Sequence, residues 1–117
     1  MLSMPRWKRE VKLMLDVFPQ FEAFAVPGIE AGFSGCVVGP RTGTAYVVTV
    51  KTALSSYPEN EPGVYMNPHP ELHHWIQDNR LCYRREGHVW NPAVDTFAQA
   101  IALAVKYISE FDGRRGE

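Results

Sequence analysis

Two cysteines and four histidines are the side chains of this 117-residue chain with the types needed for nucleophilic or metal chemistry. Cys82 sits in the run Arg80-Leu81-Cys82-Tyr83-Arg84-Arg85, and guanidinium charge turned toward a thiol favours the thiolate, its nucleophilic form. His69, His73, His74 and His88 flank it in sequence. With Cys82 they are ligand types that zinc takes. Their spacing argues against a metal: there is no Cys-x-x-Cys pair, and Pro70 permits a helix through His69 and His73 only as a first turn. The reading is of a thiol that works without metal or other cofactor. A plainer reading stands beside each residue. A cysteine in a loop is a small side chain, and His73 and His74 serve as surface polar groups or as a buried, hydrogen-bonded imidazole. Cys36 falls in a strand pattern and reads as core.

The elements that must position these residues follow from periodicity. Ser3 can cap a helix in which Trp7, Val11, Met14, Leu15 and Phe18 recur at helical spacing. Pro19 ends it, because proline lacks an amide and disfavours helical geometry before it. Strand grammar follows over residues 21–26, 33–38 and 45–52, rich in aromatic and β-branched residues and separated by glycine or proline. Gly39-Pro40-Arg41-Thr42-Gly43 is a turn signal that makes the second and third segments a hairpin. Tyr46, Val48 and Val50 share one face of the third. Residues 55–92 read as irregular, with Val64-Tyr65-Met66 as a short fourth strand. An irregular stretch of that length signals either function or a further element. Thr96 and Gln99 fit a capping box for a closing helix whose apolar face is Phe97, Ile101, Ala104, Val105, Ile108 and Phe111. Gly113 is placed to end it. The order predicts an α+β fold, an antiparallel meander of three to four strands with helices packed on one side.

Composition narrows the class. A net charge of −1 provides no global field to recruit nucleic acid or anionic lipid. The basic clusters at Arg6, Lys8 and Arg9, at Arg84–Arg85 and at Arg114–Arg115 read as solvated faces. Charged residues from Arg6 to Asp16 interrupt the first apolar pattern, so no signal peptide is visible. No apolar run approaches the ~18 residues that suggest a membrane span. Two cysteines do not make a disulfide framework. The expectation is one domain over residues 1–117, cytoplasmic, with reduced thiols and no nucleic-acid or membrane partner.

One constellation is more specific. The chain runs Tyr57-Pro58-Glu59-Asn60-Glu61-Pro62-Gly63-Val64, then Asn79-Arg80-Leu81-Cys82, then Val89-Trp90-Asn91-Pro92-Ala93-Val94. This resembles the ubiquitin-conjugating family. Its members carry a Tyr-Pro-x-x-x-Pro-x-Val run after the third strand and an active cysteine after a branched apolar residue. A Trp-Ser-Pro-Ala-like motif follows. The separations from Tyr57 to Cys82 and from Cys82 to Trp90 both fit the family pattern without a gap, and the flanking helix, strands and helix are those the family would supply. Three departures stand out. The family's His-Pro-Asn tripeptide is replaced by Leu72-His73-His74, the literal His69-Pro70 being out of register. A usual glycine is Asn79. The chain also stops after the crossover helix, without the family's last two helices, which is the short form of divergent bacterial members.

The resemblance implies a ubiquitin-conjugating fold with a long active-site loop and a C-terminal crossover helix. It implies an acyl transferase that carries cargo as a Cys82 thioester and passes it to an amine. His74 stands at the position of the family's oxyanion-stabilising asparagine, with Asn79 and His69 as alternatives, and Asp112 is the nearest match to an acidic residue that helps the acceptor amine. The implied partners are a ThiF-like activating enzyme and, as cargo, a ubiquitin-like protein or the C-terminus of a nucleotidyltransferase in a bacterial antiviral operon. The competing reading is a binding or scaffold module that kept the fold and lost the chemistry. An apolar edge left on the crossover helix would suit a homodimer contact.

Overall fold

A computed structural model of the chain describes residues 1–68, 76–77, 80–81 and 90–113. Helix α1 (Met4–Val17) opens on Ser3, whose hydroxyl accepts from the Arg6 amide at 3.3 Å. Pro5 sits in the first turn, where a missing amide is harmless. The helix stops at Phe18, ahead of Pro19. Helix α2 (Phe97–Phe111) opens on Thr96, whose hydroxyl accepts from the Gln99 amide at 3.2 Å. It closes at Asp112 and Gly113, the latter at φ +80°, a left-handed backbone that glycine adopts without strain.

Between the helices runs an antiparallel meander of four strands: β1 (Glu22–Val26), β2 (Glu30–Val38), β3 (Ala45–Ala53) and β4 (Gly63–Asn67). Pairing runs in register, Phe33 opposite Val50 and Val50 opposite Val64. Two further strands, β5 (Ile76–Gln77) and β6 (Arg80–Leu81), pair with each other and extend the sheet beyond β4 in the order β1-β2-β3-β4-β6-β5. Residues 55–92 are thus less irregular than the sequence implies. Two-residue strands are too short to leave an alternating pattern, which needs four residues or more.

Both helices cover one face of this sheet. Phe33, Val48, Val50, Val64 and Met66 from the strands pack with Met14 of α1 and with Phe97, Ile101, Ala104 and Ile108 of α2. The rings of Trp7, Phe33 and Phe97 meet at centroid separations of 5.1, 5.3 and 6.1 Å. Each such side chain, fully buried, contributes about 1.5–3 kcal/mol, which makes this layer the main source of stability. The opposite face carries no helix among the described residues. Cys36 therefore differs from its sequence reading: it lies in β2 as expected but is exposed, not core. The two-residue repeat turns Phe33 inward and sends Cys36 to the other side, opposite Val47. Leu15 also departs from expectation, being 60% exposed on α1, while Glu10 is buried in its place. No large apolar side chain of α2 is exposed, so the apolar edge expected there is not seen among the described residues. Nor is any described helix long and apolar enough to cross a membrane.

A second anchor lies at the far end of α2. The buried Asp112 carboxylate accepts from the amides of Arg41 and Thr42 at 2.8 and 3.0 Å, and from the hydroxyls of Thr42 and Tyr46 at 2.7 Å each. These bonds tie the β2–β3 turn to the helix end. The Thr42 hydroxyl leads in holding the carboxyl below the ordinary aspartate range, while burial pushes the other way. Burial, then the bond to Asp112, pushes the Tyr46 hydroxyl up to about 12, so it stays a donor. Gly39 makes the latch possible, since a Cβ there would overlap the Asp112 carboxylate. Gly39→Ala is expected to destabilise by about 1–3 kcal/mol, read as a lower denaturation midpoint in urea. Because the folded Asp112 value is depressed, its contribution is complete above the unfolded aspartate value of about 3.9 and is lost as pH falls below that. Asp112→Asn should therefore flatten the acid limb of melting temperature against pH. An unchanged acid limb would contradict the latch.

Candidate functional site

The described residues carry the two ends of the span that contains Cys82. Tyr57 and Pro58 stand before it, joined by a cis peptide bond, and Trp90-Asn91-Pro92 stands after it. The fold brings these ends together. The Trp90 indole nitrogen donates to the Pro58 carbonyl at 2.7 Å, and the Tyr57 and Trp90 rings lie 5.8 Å apart. Tyr57, fully buried, also stacks on Phe97 at 4.5 Å, at the head of α2. The closing side has its own brace: Asp95, 5% exposed, accepts from the Asn91 amide at 2.7 Å, and the Asn91 side chain accepts from the Ala93 amide at 3.0 Å.

Beneath this junction lies an ion pair. Glu10 is 2% exposed and accepts from three donors: Arg6 Nε at 2.8 Å, the Tyr57 hydroxyl through a short hydrogen bond, and the Phe97 amide at 3.0 Å. A carboxylate at the first amide of α2 also meets the positive end of the helix dipole. Three more Arg6 donors go to the Pro92 carbonyl at 2.9 Å, the Asp95 carbonyl at 2.6 Å and the Tyr57 hydroxyl oxygen at 3.2 Å. Only a planar guanidinium presents enough donors in fixed directions to reach all of these at once. Burial lowers the Arg6 pKa, but bonds to Glu10 and Tyr57 outweigh it and hold the group charged. Burial, then the bond to Glu10, raises the Tyr57 hydroxyl above its ordinary value, so it remains a donor.

Cys82, His74 and Asn79 lie outside the described residues, as do His69, His73, His88, Arg84 and Arg85. Arg80 and Leu81 form β6, with Arg80 opposite Tyr65 of β4, and β6 ends one residue before Cys82 in the chain. Trp90 and Pro92 stand at the junction, the indole donating to the Pro58 carbonyl and the Pro92 carbonyl accepting from Arg6. Asp112 does not stand near it. It sits at the opposite end of α2, about 22 Å along the axis at 1.5 Å per residue, with its carboxylate occupied by four donors. There it holds the β2–β3 turn. No group of three metal-binding side chains occurs among the described residues.

Sequence reading missed Arg6, Glu10 and Asp95. A signal existed for the first two. Glu10 lies three residues after Trp7 and four before Met14, inside the apolar stripe of α1, and Arg6 is its partner one turn earlier. A charged residue on a buried stripe needs a partner. No family model, curated protein or solved structure matches the chain.

Replacing one member of a buried pair leaves the other uncompensated, so Arg6→Met is expected to cost about 3–5 kcal/mol. Tyr57→Phe removes one donor to Glu10 and should cost about 1–3 kcal/mol. Urea unfolding measures both. A loss for Arg6→Met no larger than that for Tyr57→Phe would contradict the pairing.

Proposed function

We propose that this chain is a ubiquitin-conjugating-type acyl carrier with Cys82 as the nucleophile. The observation that carries the reading is the contact between its two outer motifs. Tyr57-Pro58 and Trp90-Asn91-Pro92, spaced about Cys82 as in that family, meet through the Trp90–Pro58 hydrogen bond and the Tyr57–Trp90 ring contact. The α+β order, with one helix before a four-stranded meander and one after the Cys82 span, is consistent with a ubiquitin-conjugating fold.

The chemistry needs no oxidant or reductant. The Cys82 thiolate attacks the carbonyl carbon of a cargo C-terminus held as a thioester on an activating enzyme. A new C–S bond forms, the old one breaks, and the activating enzyme's thiolate leaves. An amine then attacks the Cys82 thioester; a C–N bond forms, Cys82 departs as thiolate, and the amine proton passes to a base. His74 is assigned two tasks at that step: donation to the tetrahedral oxyanion, worth on the order of 10²–10³ in rate, and acceptance of the amine proton near neutral pH. Asn79 is the second candidate for the oxyanion. The cargo is a ubiquitin-like protein or a nucleotidyltransferase C-terminus, delivered by a ThiF-like enzyme, in a bacterial antiviral setting. This assignment rests on the family resemblance alone.

Intact mass under non-reducing conditions, of protein co-expressed with its genomic neighbours, tests the proposal. A protein-sized adduct should appear, disappear with dithiothreitol, and be lost or become a reductant-stable ester in Cys82→Ser. Bare chain beside a charged activating enzyme would favour the binding-module reading instead.

A further inference from the structure

Strand β1 forms one edge of the sheet, and no described residue pairs with its outer side. Alternate residues of an antiparallel edge strand point amide and carbonyl outward, and proteins commonly protect such an edge with lysine, proline or a bulge. Glu22-Ala23-Phe24-Ala25-Val26 pairs with β2 without a bulge, and its single charge is at its first residue. Helix α1 runs antiparallel above this strand. At one end Met4 and Ala25 line a common cavity; at the other the Phe21 amide donates to the Phe18 carbonyl at 3.0 Å. Ala25, and by the two-residue repeat Ala23, therefore face the helix. Both are small and exposed, which leaves space between the edge and α1.

The features along that space are specific. The cavity measures about 200 Å³ and is walled by Leu2, Met4, Trp7, Ala25, Ala31 and Leu54, with Ser3 the one polar side chain. An apolar cavity of ~150 Å³ already accepts a benzene ring, so this one has room for a leucine, methionine or phenylalanine side chain. Met4, Lys8, Val11 and Leu15 follow at helical spacing on one stripe of α1, and Met4 shows that the stripe looks toward β1. Met4 is 63% exposed and Leu15 60%, apolar surface that the chain leaves uncovered among the described residues. Lys8 lies between them and Lys12 one turn further on. Both are exposed, and neither pairs with a described acid.

We propose that the β1 edge is a docking site for an extended acidic peptide that adds to the sheet as a further strand. Its side chains facing α1 follow the pattern apolar-x-acidic-x-apolar. The first fills the cavity, the second meets Lys8, and the third covers Leu15. The spacing matches, because Met4 and Lys8 are about 6 Å apart along the helix and two strand residues rise about 6.6 Å. Leu15 lies about 16 Å beyond Met4, roughly the length of a five-residue strand. Charge selects this occupant over a second copy of the chain. Pairing β1 with its own copy would set two α1 helices side by side and bring Lys8 and Lys12 against Lys8 and Lys12, like charges that oppose association. The proposal is independent of the Cys82 reading.

The probe is the fluorescein-labelled peptide Ser-Leu-Thr-Glu-Thr-Leu-Ser, with versions carrying Met or Phe at both Leu positions. It reads the same in both directions, so it fits the edge parallel or antiparallel. Fluorescence anisotropy against the full chain should saturate. Lys8→Glu and Met4→Asp, at exposed positions and checked by circular dichroism to be folded, should each weaken binding tenfold or more. A peptide with Lys in place of Glu should recover binding to Lys8→Glu, and N-methylation of alternate peptide amides should abolish binding to the wild type. Failure of every version to saturate below about 1 mM would overturn the proposal. So would saturation that ignores Lys8→Glu or N-methylation, since the peptide would then lie elsewhere. A wild-type chain that sediments as a dimer, and that Met4→Asp returns to monomer, would give the edge to a second copy instead.

Discussion

The structure depends on keeping the Glu10 carboxylate out of water. An ionised carboxylate buried at this depth costs several kcal/mol unless it is paired and fully hydrogen-bonded, and Glu10 achieves both through Arg6, Tyr57 and the Phe97 amide. Those three partners belong to α1, to the loop before β4 and to the head of α2. Burial of one charge therefore imposes one arrangement on three separate pieces of chain. Apolar packing alone leaves such pieces freer to slide, because dispersion and burial are non-directional.

A second carboxylate holds the other end of the same helix. Glu10 accepts at the first amide of α2, where the helix dipole favours an anion, whereas Asp112 sits at the last turn, where it does not. Four donors from the β2–β3 turn and β3 offset that cost. Helix α2 is thus fixed at both ends by buried anions and along its length by Ile101, Ala104 and Ile108 against the sheet. The junction of Tyr57, Trp90 and Phe97 is built on the head of this doubly anchored helix.

How much of this was legible in the sequence depended on the period of each signal. Ser3 and Thr96 announce both helices, and Tyr46, Val48 and Val50 mark the inner face of β3, as the structure bears out. The parity of Phe33 also contained the answer for Cys36, which a reading of residue type alone placed in the core. Strands β5 and β6 were not legible, since two residues carry no repeat. Glu10 was hidden for a different reason: a charged residue on an apolar stripe looks like an interruption until its partners are known, and two of those, Tyr57 and the Phe97 amide, are far away in sequence. The spacing of Tyr57, Cys82 and Trp90 was the site's most specific sequence signal, and the fold joins its outer members.

The proposed function turns on which cysteine carries cargo. The chain offers a natural comparison, Cys82 within the framed span and Cys36 exposed on the open sheet face. Peptide mapping of a reductant-labile adduct, formed with the native activating enzyme and cargo, distinguishes them in one experiment. The account predicts that the cargo C-terminus is found on the Cys82 peptide alone. Cargo on the Cys36 peptide, or on both in equal measure, would contradict it.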